Sequence, residues 1–123
     1  MKEFNLLIDD IRNEEMCGVT DMKFDYIARS PYTGMEALKT QPVTHLWLDN
    51  DLGYSMMEGW EILNWARDND LLPDHIILVT ANPVSKRRMA ETLKNDLGYT
   101  RTDINSGWWN KPTNTLDIQS NLV

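Results

Sequence analysis

The apolar run Leu46-Trp47-Leu48 stops at Asp49, and Asp51 and Gly53 follow at alternate positions. A second apolar run, Phe4 to Ile8, ends on the pair Asp9-Asp10. Carboxylates gathered in one place repel, and without compensation one of them must take up a proton. A bound Mg²⁺ or Mn²⁺ removes that conflict, and Mg²⁺ prefers oxygen ligands from one or two carboxylates, waters and phosphate oxygens. Two further residues close apolar runs, Thr80 after His75-Ile76-Ile77-Leu78-Val79 and Lys111 after Gly107-Trp108-Trp109-Asn110. Acids for a metal, a hydroxyl and an ammonium together suit a phosphoryl group. Asp9, Asp10, Asp49 and Asp51 are therefore the candidate metal ligands. Asp49, Asp51, Thr80 and Lys111 are the candidate reactive set.

The elements that must position these residues are short. Strands are expected at 4–9, 24–29, 45–49, 75–79 and 107–110, each a run of apolar or strand-forming residues. Ser30-Pro31 reads as an N-cap with proline in the first turn of a helix running to about Lys39. A second helix is expected from about Gly59 to Asp68. A third leads from Asn82-Pro83-Val84-Ser85 to Leu97, with Met89, Leu93 and Leu97 inward and Gly98 as its stop. Residues 10–23 lack helical periodicity and read as a loop, 99–105 are polar, and the tail 113–123 has room for about three helical turns. Strands alternating with helices imply a parallel sheet covered by helices. Five strands in the flavodoxin-like order 2-1-3-4-5 would bring Asp9, Asp10, Asp49 and Asp51 to one crevice at the carboxyl ends of the strands.

Composition narrows the partners. The 123 residues read as a single domain, 1–123, with 41% hydrophobic and 25% charged residues. A net charge of −7 argues against broad nucleic-acid or anionic-membrane binding. Cys17 is the one cysteine, consistent with a reducing, cytoplasmic setting. The first apolar run is too short for a leader, and no run approaches the ~20 residues that span a bilayer.

Asp-Asp after strand one, Asp after strand three, Thr after strand four and Lys-Pro after strand five resemble the receiver domain of response regulators. Asp51-Leu52…Met57-Glu58-Gly59 is similar to the receiver stretch from the phosphorylated aspartate to a glycine eight residues on. Trp108 falls where receivers carry a switch aromatic. A closer resemblance is to the cyclic-phosphate-processing receiver-like family, carried by Asp9-Asp10-Ile11-Arg12, Leu48-Asp49-Asn50-Asp51-Leu52-Gly53 and Asn82-Pro83-Val84…Met89. Asn50 stands for that family's histidine and Ser85 for its glycine, which weakens any mechanism using the histidine. The resemblance implies a receiver-like three-layer sandwich with its first helix shortened or absent. It also implies a site for the cyclic or terminal phosphate of a nucleotide or RNA end.

Counting from Gly59 makes Asp51 the key acid, and counting from the strand end makes it Asp49, the register favoured here. Arg12, Asn82, Ser85 and Lys86 are candidate phosphate contacts. Lys86, Arg87 and Arg88 stand in the first turn of the third helix, where its dipole disfavours cations, so either an anion or solvent faces them. His45 and His75 are expected at the surface, away from the site. Trp108 and Trp109 cannot face the same side of a strand. Tyr54, Met56 and Met57 either cover the site or pack on the sheet edge. Three functions compete: metal-dependent binding or hydrolysis of a phosphate ligand, acceptance of a phosphoryl group as a stand-alone receiver, and protein binding alone.

Overall fold

The computed structural model describes residues 2–53, 56–102 and 107–112. Its six-stranded sheet has the order β2-β1-β3-β4-β6-β5. The strands are β1 (Asn5–Ile8), β2 (Tyr26–Ala28), β3 (His45–Leu48), β4 (His75–Leu78), β5 (Thr100–Arg101) and β6 (Trp108–Asn110). The first four are parallel in the expected order 2-1-3-4. Every residue of β1 and β3 is buried, as befits parallel strands covered on both faces.

Alternation along these strands divides the core. Leu6, Ile8, Leu46, Leu48, Ile76 and Leu78 face α1 (Pro31–Thr40), α2 (Gly59–Asp68) and α3 (Pro83–Glu91). Leu7, Trp47 and Ile77 point to the other face, where Phe24, Cys17, Val19 and Met22 cover them. Residues 10–24 form turns rather than a helix on that face, so the first receiver helix is replaced by irregular chain.

The helix starts follow from their caps. Ser30 accepts from the Thr33 N–H while the Thr33 hydroxyl reaches back, and Pro31 takes the first turn. Asn82 accepts from the Val84 and Ser85 N–H groups. The expected third helix divides: α3 is followed by a π-helical turn, Thr92–Asp96. Gly98 then turns the chain at φ +73°, a left-handed value that suits glycine. Met89, Leu93 and Leu97 are all buried, as their spacing suggests.

The far side of the sheet departs from expectation. A fifth parallel strand was expected at 107–110. Instead β5 occupies the outer edge, and β6 pairs antiparallel with both β4 and β5. The reason lies in where the chain re-enters. Tyr99 donates its hydroxyl to the Pro73 carbonyl just before β4, so β5 starts beside the amino end of β4. The following strand therefore returns in the opposite sense. Trp109 enters the helix-side core at 4% exposure, while Trp108 lies on the opposite face against His45 and Trp47. The histidines also differ from expectation. His45 is buried, His75 is half-buried, and their rings stack at 4.4 Å.

Candidate functional site

Asp9 and Asp49 directly follow β1 and β3, so the parallel register of Ile8 with Leu48 sets them side by side. Asp9 is fully buried and Asp49 is 4% exposed. Asp9 accepts the Ile11 and Arg12 N–H groups on Oδ1, at 3.0 and 2.9 Å. Those bonds fold residues 9–12 into a turn that aims Arg12 back over the strand ends. The Arg12 guanidinium then lies 2.8 Å from Asp9 Oδ2 and 3.2 Å from Asp49 Oδ2. A second arginine, Arg29, holds that turn through the carbonyls of Asp9 and Arg12.

Asp10 is exposed, yet one oxygen from each of Asp9, Asp10 and Asp49 lies within 4.8 Å of the others. Burial, and then the neighbouring Asp9, push the Asp49 carboxyl above its usual range. Arg12, the Asn50 N–H and the Thr80 hydroxyl act in the opposite direction. Arg12 is itself held more firmly charged, first by its hydrogen bond to Asp9. Three ionised carboxylates against one guanidinium leave a formal charge of −2. A hard oxygen donor set with that residual charge fits a divalent cation such as Mg²⁺.

The other expected residues divide sharply. Thr80, 8% exposed, reaches Asp49 from beyond the end of β4. Asp51 is exposed and outside the acid cluster, and its Oδ1 accepts the Gly53 N–H in a local turn. The doubled aspartate is thereby sorted, Asp49 into the crevice and Asp51 into the loop. Asn82 spends its carbonyl oxygen on capping α3. Ser85 and Lys86 stand in that helix's first turn, half-buried and exposed respectively. Of the suggested lid, Met57 packs against the helix-side core and Met56 is exposed, whereas Tyr54 lies outside the described residues.

Lys111 is displaced from the crevice. Its N–H donates to the Asp74 carbonyl and its Nζ to the Leu72 carbonyl, both at the amino end of β4. The antiparallel direction of β6 carries it to the opposite end of the sheet. Gly107 stands nearest the crevice on that strand. A Cβ there would lie 2.7 Å from the Leu78 carbonyl oxygen, so the approach of the two backbones requires glycine. The cation that does reach the acids is Arg12.

Asn50 was noted only for replacing a histidine. It is 2% exposed, donating to Glu58 and accepting the Trp60 N–H, while its carbonyl accepts from Gly59. These bonds tie the loop after β3 to the start of α2. Gly59 completes the joint, because a Cβ would fall 2.3 Å from the Asp49 carbonyl oxygen. Arg29, which holds the Arg12 turn, had no sequence signal beyond its place as the last residue of the expected second strand.

The sequence matches the family described as the cyclic-phosphate processing receiver domain over residues 4–95. The chain belongs to that family. No curated protein matches this receiver domain at a significant level. A similar solved structure is the signal receiver domain of a protein described as a Luxo repressor, from Vibrio parahaemolyticus. It is 16% identical with a TM-score of 0.58, covering 99% of this chain and 88% of the other. That likeness concerns the fold. The MaeR response regulator bound to beryllium trifluoride is also similar, at 19% identity and a TM-score of 0.45, covering 97% and 93%. Among the described residues of this receiver domain, no helix is long and apolar enough to cross a membrane.

Proposed function

We propose that the crevice binds the cyclic or terminal phosphate of a nucleotide or RNA end, together with Mg²⁺ or Mn²⁺ on Asp9, Asp10 and Asp49. The carrying observation is the placement of Arg12 between two buried carboxylates, beside a third acid and the Thr80 hydroxyl. A bound divalent ion would supply Lewis-acid polarisation of a phosphoryl oxygen. Arg12 offers planar donors suited to phosphate oxygens, and the Thr80 hydroxyl a further one. Asn50 cannot serve as an acid or base in the histidine's place, since an amide does not titrate and its hydrogen bonds are structural. Any hydrolytic activity would therefore draw on Asp49 and water.

Calorimetric titration with 2′,3′-cyclic AMP and adenosine 3′-phosphate, with and without MgCl₂, tests this reading. We expect metal-enhanced binding that Asp49→Asn weakens at least tenfold while the far-UV spectrum stays unchanged. Phosphodiester opening, followed in the same samples, separates binding from hydrolysis. Absence of binding to either compound, with and without metal, would sink the proposal.

The position of Asp49 beside Thr80 on a receiver fold favours a second reading, phosphoryl acceptance by Asp49. Acetyl phosphate with MgCl₂ would then add one phosphoryl mass to the intact chain, and Asp49→Asn would abolish the addition. An unchanged mass would remove this alternative.

A further inference from the structure

The chain is acidic overall, but its cations are not evenly spread. Five of its twelve lysines and arginines, Lys86, Arg87, Arg88, Lys94 and Arg101, fall within residues 86–101. Arg88 lies over the Trp60 ring at 4.2 Å. The other four border one groove on the helix side of the β4–β6–β5 edge. Two cavities of about 470 and 310 Å³ share Arg87, Ala90, Arg101 and Trp109, and so form a continuous trough. Its floor is apolar, with Leu78, Ala90 and the buried Trp109. Arg87 and Lys94 rise from one wall, and Arg101 stands on the other, its guanidinium 5.8 Å from the Trp109 ring centre. None of the four cations makes an ion pair among the described residues.

Cations clustered in a chain of net charge −7 repel one another, and Lys86, in the first turn of α3, also opposes that helix's dipole. We propose that this trough is a docking surface for an extended acidic segment of a partner protein. Spacing supports that occupant. Arg87 and Lys94 are seven residues apart, about 10 Å along a helix at ~1.5 Å per residue. On an extended chain, alternate side chains on one face recur about every 7 Å, so two carboxylates can lie along the wall. A nucleic-acid strand fits less well. The floor aromatics Tyr99 and Trp109 are buried at 3% and 4% exposure, leaving no ring face for a base to stack on.

Fluorescence anisotropy with a labelled eight-residue peptide alternating glutamate and valine tests the surface at low ionic strength. We expect saturable binding that weakens at least tenfold in Arg87→Gln/Arg101→Gln and is lost when glutamine replaces the peptide's glutamates. Lys94→Gln alone should give an intermediate loss, which covers the case of a double variant that folds poorly. The control Lys39→Gln/Arg67→Gln removes equal charge elsewhere and should bind like the parent. Non-saturable binding, or equal loss in the control, would overturn the proposal. So would tighter binding of a labelled oligouridylate through the same cations, which would reassign the trough to nucleic acid.

Discussion

The two ends of the central parallel strands face the same electrostatic problem and solve it differently. At the carboxyl end, the register of β1 with β3 sets Asp9 beside Asp49. At the amino end, the register of β3 with β4 sets His45 directly against His75, stacked at 4.4 Å. Neighbouring parallel strands make like groups into neighbours whether or not their charges agree. The acids are compensated by an added cation, Arg12, folded back by a turn that Asp9 itself caps. His45 is instead discouraged from taking up a proton, since burial, and then the neighbouring His75, depress its pKa. Glu3 and Asp74 pull it weakly the other way. The first end therefore holds its charges against an added cation, and the second disfavours charge on His45.

Gly59→Ala should damage the carboxyl end most. The added methyl would meet the Asp49 carbonyl oxygen at 2.3 Å and Met89 at 2.9 Å. Overpacking against backbone costs about 3 kcal/mol when it cannot relax. Chemical denaturation should show that loss, together with a weaker response of stability to MgCl₂. A variant as stable as the parent would mean that α2 does not pack this tightly beneath the acids.

Arg12→Met removes the charge but keeps much of the apolar stem. Its effect should fall between those of exposed and fully buried ion pairs, about 2 kcal/mol of lost stability at neutral pH. Millimolar MgCl₂ should recover part of it, because the vacated acids then need another cation more than before. Thermal unfolding with and without the salt checks both halves. If the variant gained nothing more from Mg²⁺ than the parent does, Arg12 and the metal would not be sharing one set of charges.

The sequence carried the carboxyl end well and the amino end poorly, for physical reasons. Apolar runs terminated by acids are local signals, and parallel order converts them directly into neighbours. That is why the gathering of Asp9, Asp10, Asp49 and Thr80 at one strand end was legible. Which of Asp49 and Asp51 stands in the crevice was also a local question, decided by which one directly follows the strand. The direction of β6 was not local. Gly107-Trp108-Trp109-Asn110 reads the same whether it runs up or down the sheet. Its sense depends on Tyr99 anchoring near Pro73 and on the two-residue strand β5, too short to carry a pattern. The position of Lys111 and the burial of the histidine pair were misjudged together, since both belong to the end that β6 reaches by reversing.

The histidine pair predicts a pH dependence with a definite sign. Because His45 binds its proton less readily in the folded chain than at its ordinary value of 6.5, the unfolded chain takes up more protons in that range. Stability should be full above that value and fall as pH drops through it. Denaturation midpoints between about pH 7.5 and about pH 5.5 should thus slope more steeply in the parent than in His45→Gln. Equal slopes would show that the stacked pair is not what opposes protonation.

Lys111→Met should have the smallest effect and draws the sharpest line between the two ends. In an all-parallel sheet this lysine would stand beside Asp49, and its loss would weaken phosphate binding severely. Here its ammonium bonds the Leu72 carbonyl from an exposed position, so stability should change by no more than about 0.5 kcal/mol. Affinity for 2′,3′-cyclic AMP and Mg²⁺ should match the parent within error, whereas Arg12→Met should lower phosphate affinity. A tenfold loss of phosphate affinity on Lys111→Met would require β6 to run in the opposite direction and would return the role of cation from Arg12 to Lys111.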